Sequence, residues 1–397
     1  MSRCLKVSVL AVALCVACGV PVFAVTTFLE AGGDATQGLE FYSSTSGTIA
    51  IATDQAHTGS RSIKLSTGNP ATLAAAFTDA GVLADAGRRI SFWFRFDAVP
   101  TSNNGGILGV YQSNGSTIVF SVLLSSAQQL RISPTGGTII TGTTALATNT
   151  WHHITVSYYV TSTSNYQTVV YLNGASEVVS NNTVSGTMTN VSTSRLSLRA
   201  GSALGVNINL WYDDIYVDDG ASSSSQPDTG DIRVTSKRPL ANGTLNEFTT
   251  QIGASGSGYG TGHAPQVNEQ PLSTTNGWSI INAGSVATEE FTIEGVAVGD
   301  VDLTGLTLVD VSGWVYTSAA LSETGQLVLN GSNTAIAITS TNTLFRAYAG
   351  SATYPAGTGT DIGLASDATV TTVRLYECGV LVAYRPHGSR LMLLGAG

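Results

Sequence analysis

Charge is scarce in this 397-residue chain. Asp, Glu, Lys and Arg make up 11% of it, against about 25% in an average soluble protein. Coiled coils and helical bundles draw far more heavily on Ala, Glu, Lys, Leu and Arg, so the composition excludes them. The charge that exists is acidic, net −9 with no basic stripe, which excludes nucleic acid as a partner. Cysteine is rare, with four residues. Helical periodicity is missing throughout the chain after residue 24. What is present is glycine (44 residues), abundant Ser and Thr, and 43% hydrophobic residues, enough for a packed core. At roughly 150 residues per domain, the length suggests two or three domains.

Long apolar runs are also missing. Val7–Val20 spans fourteen residues, short of the roughly 20 that a membrane span needs. Arg3 and Lys6 precede it, Pro21 breaks it, and Val22-Phe23-Ala24 offers small residues at the −3 and −1 positions of a cleavage site. Residues 1–24 therefore read as a signal peptide, with the mature chain starting at Val25, secreted or on the cell surface and free of the membrane. An uncleaved anchor and lipidation at Cys18 are the competing readings. Cleavage removes Cys4, Cys15 and Cys18 and takes the net charge from −9 to −11. Cys378 then has no disulfide partner in its own chain, and its apolar run, Val373–Ala383, marks it as a buried small hydrophobe.

The rest alternates in short strands. Ile90, Phe92, Phe94 and Phe96 alternate with Ser91, Trp93, Arg95 and Asp97; Ile154, Val156 and Tyr158 alternate with Thr155, Ser157 and Tyr159. Asn173-Gly174 reads as a tight hairpin turn, because both residues tolerate positive φ. Asn114-Gly115 and Asn330-Gly331 look similar. Residues 221–230 are Ser-rich with no apolar anchor and read as a flexible linker. The expected organisation is a first β-domain over 25–220, the linker, a smaller β-sandwich over 231–386 and a tail over 387–397. Gly253–Gly262 is expected to be a loop in the second domain.

Five motifs give the first domain a family likeness. They are Gly59–Leu65, Ile90–Phe96, Trp151-His152-His153-Ile154-Thr155-Val156-Ser157-Tyr158, Tyr171-Leu172-Asn173-Gly174, and Trp211–Val217. In this order they resemble the concanavalin A-like, laminin-G-like jelly roll. The resemblance implies an all-β fold, two packed antiparallel sheets with a curved outer face, and binding of carbohydrate or protein, with some members enzymes. The second domain, from Asp231-Ile232-Arg233-Val234 to Leu375–Val380, resembles modules of tailed-phage structural proteins. An export signal departs from that pattern.

Catalytic chemistry is hard to assemble from these residues. A glycosidase needs two carboxylates facing one bond, and the E-x-D-x-x-E strand of laminarinase-type relatives is missing. Glu289-Glu290 are adjacent and would point to opposite faces of a strand. No G-x-S-x-G elbow and no zinc spacing is present. Asp213, Asp214, Asp218 and Asp219 form the densest acidic group. Two uses compete for Asp213 and Asp214: a structural calcium, or acceptance of hydrogen bonds from loop N–H groups.

Strict alternation would put Trp93, Arg95, His153, Tyr159, Tyr212, Asp214 and Tyr216 on one outer face. Flat rings stack on sugars while Arg and Asp bind hydroxyls. Burial of that face under another strand, loop or domain is the opposing reading. The sequence thus points to a non-enzymatic extracellular protein binding a glycan or cell-surface ligand through its concanavalin-like domain, with no cofactor beyond that calcium. A phage virion structural or adhesion protein and a polysaccharide-active enzyme of the same fold are the alternatives. Self-association or assembly into a larger particle is left open.

Overall fold

The computed structural model describes residues 26–30, 44–67, 71–76, 86–111, 118–160, 165–183, 195–205, 207–221, 225, 227–248, 250–252, 277–281, 286–295, 297, 301–319, 322–340, 343–348, 361–366 and 372–386. Residues 1–24, read above as a signal peptide, Asn114-Gly115, Gly253–Gly262 and residues 387–397 lie outside them. Among the described residues, apart from one short 3-10 turn at Ser202–Leu204, the regular structure is β-strand. In chain order the first strands are β1 (Thr26–Glu30), β2 (Ser44–Ser46), β3 (Thr48–Ala52), β4 (Ser62–Ser66) and β5 (Ala71–Ala76). Then come β6 (Ala86–Phe96), β7 (Gly105–Tyr111), β8 (Ile118–Leu124), β9 (Gln129–Pro134) and β10 (Ile140–Ala145). The next five are β11 (His152–Val160), β12 (Asn165–Leu172), β13 (Ala175–Thr183), β14 (Arg195–Ala200) and β15 (Asn209–Asp218).

These fifteen strands form two antiparallel sheets. One has eight strands, ordered β13-β12-β11-β6-β15-β4-β3 with β1 also paired to β15. The other has seven, ordered β10-β9-β8-β7-β14-β5-β2. The expected alternation holds on β6, where Ile90, Phe92, Phe94 and Phe96 are fully buried between the sheets. From the facing sheet, Leu108, Val110, Phe120, Val122, Leu196 and Leu198 meet them. At Asn173-Gly174, φ values of 51° and 86° close the β12–β13 hairpin, as the sequence requires.

The second sandwich follows the same logic. Its six-stranded sheet contains β16 (Arg233–Lys237), β18 (Thr250–Ile252), β19 (Gly277–Ile281), β21 (Thr307–Ala319), β24 (Thr343–Tyr348) and β26 (Thr372–Arg385). The five-stranded sheet contains β17 (Pro239–Asn246), β20 (Thr288–Ile293), β22 (Glu323–Leu329), β23 (Ser332–Ile338) and β25 (Asp361–Ser366). Asn330-Gly331 turns β22 into β23 with φ values of 50° and 75°. Cys378 is a free, buried thiol whose ionisation burial pushes well up. Glu289 is buried among apolar groups, and desolvation pushes its carboxyl up to about 8.

Strand β26 serves two cores. Val380, Val382 and Tyr384 point into the second sandwich. Leu381 and Ala383 point the other way, into a continuous cluster with Ile232, Val234, Trp314 and the first sandwich. Described residues at the two ends of the expected linker are held in place. Ala221 and Thr229 are buried. The Thr229 hydroxyl lies 2.9 Å from that of Thr155, and the Thr229 carbonyl accepts a 2.7 Å bond from Arg385.

Candidate functional site

Most of the aromatic face expected to hold a ligand is covered, with Trp93 and Arg95 left half-exposed. Trp93 does point away from the core, but the His57 ring stacks on it at 3.7 Å and 14°, and the Arg233 guanidinium sits 6.0 Å from its centroid. His153 is buried, and its Nε2 lies 2.8 Å from the Ser91 hydroxyl. Burial holds the His153 pKa below the usual histidine range. Tyr159 and Tyr216 are also buried, and Tyr216 belongs to the same apolar cluster as Leu381 and Ala383. Arg95, half-exposed, bonds the carbonyl and side chain of Asn149. The opposing reading of this face is therefore the observed one, because the second sandwich and the His57 loop cover it.

Strict alternation misplaces two further residues. Tyr212 faces the core, fully buried, and its hydroxyl donates to the carbonyls of Ile107 and Arg199 at 2.9 and 2.8 Å. Against β6, the pairing runs Tyr212↔Phe94 and Asp213↔Trp93, then jumps to Tyr216↔Ser91. One extra residue is accommodated there by a β-bulge, with Asp214 at φ 51°. Asp tolerates this left-handed backbone better than most residues. The bulge removes Asp214 from the outer row and turns its carboxylate into a clamp. Asp214 Oδ2 lies 2.6 Å from His57 Nδ1 and accepts from the Thr58 hydroxyl at 2.8 Å. Its Oδ1 accepts from the Val234 N–H of the second sandwich at 2.7 Å. Asp213 Oδ2 accepts from the N–H groups of His57 and Thr58 at 2.7 and 3.1 Å. Asp213 thus serves loop N–H groups, the second of the two uses read from the sequence, whereas Asp214 accepts from the Thr58 hydroxyl and from the N–H of Val234 on β16. Among the described residues no cluster of three or more His, Cys, Asp or Glu side chains is placed to hold a metal ion. Sequence reasoning missed His57, a lone histidine in a loop that nothing local marks out.

The seven-stranded sheet offers a different surface. Leu196, Leu198 and Ala200 enter the core, so Ser197 and Arg199 point away from it. Reading across the strands, register aligns Ser133 with Ser121, Ser121 with Gly109, Gly109 with Ser197, Ser197 with Ala74 and Ala74 with Ser44. A row of small residues thus crosses β9, β8, β7, β14, β5 and β2, spanning about 24 Å at strand spacing. One neighbouring row runs Arg131, Leu123, Gly106. Arg199 lies across Gly106, and a Cβ there would sit 3.6–3.7 Å from its guanidinium. A Cβ at Gly109 would fall 2.9 Å from the Tyr111 ring and 3.4 Å from Arg199 Cδ. Glycine is what lets these two side chains settle side by side on the floor. Tyr111, Arg131 and Arg199 are half-exposed. Beside them the Ser197 hydroxyl is buried and has no hydrogen-bond partner among the described residues, at a cost of about 1–3 kcal/mol.

Two packed antiparallel sheets of this kind define a concanavalin-like β-sandwich. Residues 71–226, within the first sandwich, match the family model of the concanavalin A-like lectin/glucanases superfamily. No curated protein sequence matches the chain. Solved structures similar to it include an endo-beta-1,4-glucuronan lyase from Trichoderma reesei, at 14% identity, covering 50% of this chain and 100% of that one, TM-score 0.37. A carbohydrate esterase from Shiga toxin-encoding bacteriophage phi24B has 15% identity, the same coverages and the same TM-score. Domain 4 of an extracellular arabinanase from Geobacillus stearothermophilus has 16% identity, covering 51% of this chain and 97% of that domain, TM-score 0.33. Likeness at this level carries no inference about ligand or reaction.

Proposed function

We propose that this chain is an exported, non-enzymatic recognition protein that binds a glycan along the trough of its seven-stranded sheet. The observation carrying this reading is the small-residue row from Ser133 to Ser197, with Tyr111 and Arg199 seated on Gly109 beside it. A tyrosine ring supplies a flat face for a sugar's C–H groups, and the half-exposed Ser133 and Arg199 supply partners for its oxygens. The concanavalin-like fold of residues 71–226 supports the same reading. Binding without cleavage is favoured by how the described carboxylates of this sandwich are engaged. Glu177 holds the Thr144 N–H and hydroxyl, Asp97 holds Asn209, and Asp218 holds Arg89. The second sandwich acts as a support that closes the aromatic face.

A glycan array followed by calorimetry on the best ligand tests binding, and an assay of released sugar ends tests cleavage. Saturable binding with no new chain ends is the expected result. Absence of binding to every glycan, or turnover of the bound one, would overturn the reading.

A further inference from the structure

We propose that the trough takes an acidic polysaccharide, one whose sugars carry carboxylates; this rests on the glycan reading above. The chain as a whole is acidic, with 26 Asp and Glu against 17 Lys and Arg. The described charged side chains beside the trough are nevertheless arginines, Arg131 and Arg199. A neutral sugar chain would not require this local reversal of sign.

Arg199 is the stronger witness. At the sandwich interface, on the other sheet, arginines have partners: Arg89 binds Asp218, Arg233 binds Asp231 and Arg385 binds the Thr229 carbonyl. The Arg199 guanidinium makes no hydrogen bond or ion pair among the described residues. It lies half-exposed over Gly106, near the orphaned Ser197 hydroxyl, its neighbour on the same face of β14. A planar guanidinium presents a two-pronged donor edge that matches a carboxylate. Arg131 is fixed for the same task. Its Nε donates to the Thr141 hydroxyl at 3.0 Å, and its Nη1 donates to the Asn104 side chain at 3.1 Å and to the Asn103 carbonyl. Arg131 stands on β9 and Arg199 leans over β7, two strand spacings apart, about 10 Å. A chain laid across the strands would meet the two positive groups in succession.

Calorimetry with the full exported chain decides this, using polygalacturonate and alginate, fully methyl-esterified polygalacturonate, and dextran sulfate as probes. The expected result is binding of a carboxylate polymer that weakens with salt, with the methyl ester at least about tenfold weaker. Arg199→Ala and Arg131→Ala should each weaken carboxylate binding by about tenfold with unchanged melting temperature. Arg199→Lys should recover part of the loss. Lys64→Ala, which removes one positive charge from the opposite sheet, should leave affinity unchanged. Equal binding of the methyl ester, still weakened by Tyr111→Ala, would overturn the acidic ligand while leaving the glycan reading intact. Binding of dextran sulfate with no binding of either carboxylate polymer would overturn the carboxylate assignment in favour of sulfate. No binding of any polymer would overturn both.

Discussion

The two outer faces of the first sandwich carry opposite chemistries. The eight-stranded sheet presents His153, Tyr159 and Tyr216, which are buried, and a half-buried Trp93 stacked under the His57 ring. The seven-stranded sheet presents serines, glycines, Tyr111 and two half-exposed arginines. Aromatic enrichment is a property of any surface that is to be buried, whether under a sugar or under another domain. Rings alone therefore cannot tell a ligand site from an interface. The charged groups around them can. On the eight-stranded face the carboxylates of Asp213 and Asp214 accept from protein donors, although the Trp93 Nε1 and the Ser157 hydroxyl there are unpaired among the described residues, whereas on the seven-stranded face the guanidinium of Arg199 is half-exposed.

The largest test of that contrast is Asp214→Ala. It would strand the Val234 N–H and the Thr58 hydroxyl at the interface and place alanine at positive φ. A loss of roughly 3–5 kcal/mol follows from an uncompensated buried network and a strained backbone. Asp214→Asn, which keeps an acceptor and tolerates the φ, should lose markedly less. Denaturant unfolding of both variants reads the difference, and equal stability of Asp214→Ala and wild type would show that the clamp contributes nothing.

The pH profile separates the two sandwiches. Glu289 has its folded pKa raised from 4.5 to about 8. Between those values the folded state binds more protons than the unfolded one, so stability falls as pH rises through that window, by at most about 1.4 kcal/mol for each pH unit crossed. Glu289→Gln retains an acceptor for the Phe248 N–H and should flatten the alkaline limb of a melting-temperature profile. His153 is shifted the other way, below 6.5. Below that pH the unfolded state binds more protons, so the interface weakens as pH falls. An unchanged alkaline limb in Glu289→Gln would contradict the burial of that carboxyl.

Trp93→Ala comes next. It removes the ring on which His57 stacks, and a partly buried aromatic of this kind should cost about 2–3 kcal/mol. Thermal melts should show the loss. A variant as stable as wild type would mean that the ring is not part of the interface.

Much of this fold is legible in the sequence. Alternation from Ile90 to Phe96 gives the core strand its faces, and Asn173-Gly174 and Asn330-Gly331 give two hairpins, because these signals are local. The bulge at Asp214 is not legible, since the extra residue is revealed only by pairing with β6. The fate of Trp93 depends on Arg233 and His57, which lie far from it in sequence. The trough is hidden for the same reason. Ser133, Ser121, Gly109 and Ser197 are unremarkable singly and form a row only through strand register. Ser-rich residues 221–230 read as a tether because they lack apolar anchors, yet Thr155 and Arg385 hold Thr229 by polar contacts instead.

A paired titration decides between the open face and the closed one. The best-binding glycan is titrated calorimetrically into wild type, Tyr111→Ala and Trp93→Ala at a temperature where all three are folded. If the ligand lies in the trough, Tyr111→Ala loses about tenfold or more, corresponding to one stacking contact of about 1.4 kcal/mol, and Trp93→Ala keeps wild-type affinity. Loss of affinity in Trp93→Ala with none in Tyr111→Ala would return the ligand to the aromatic face and contradict the trough as the binding site.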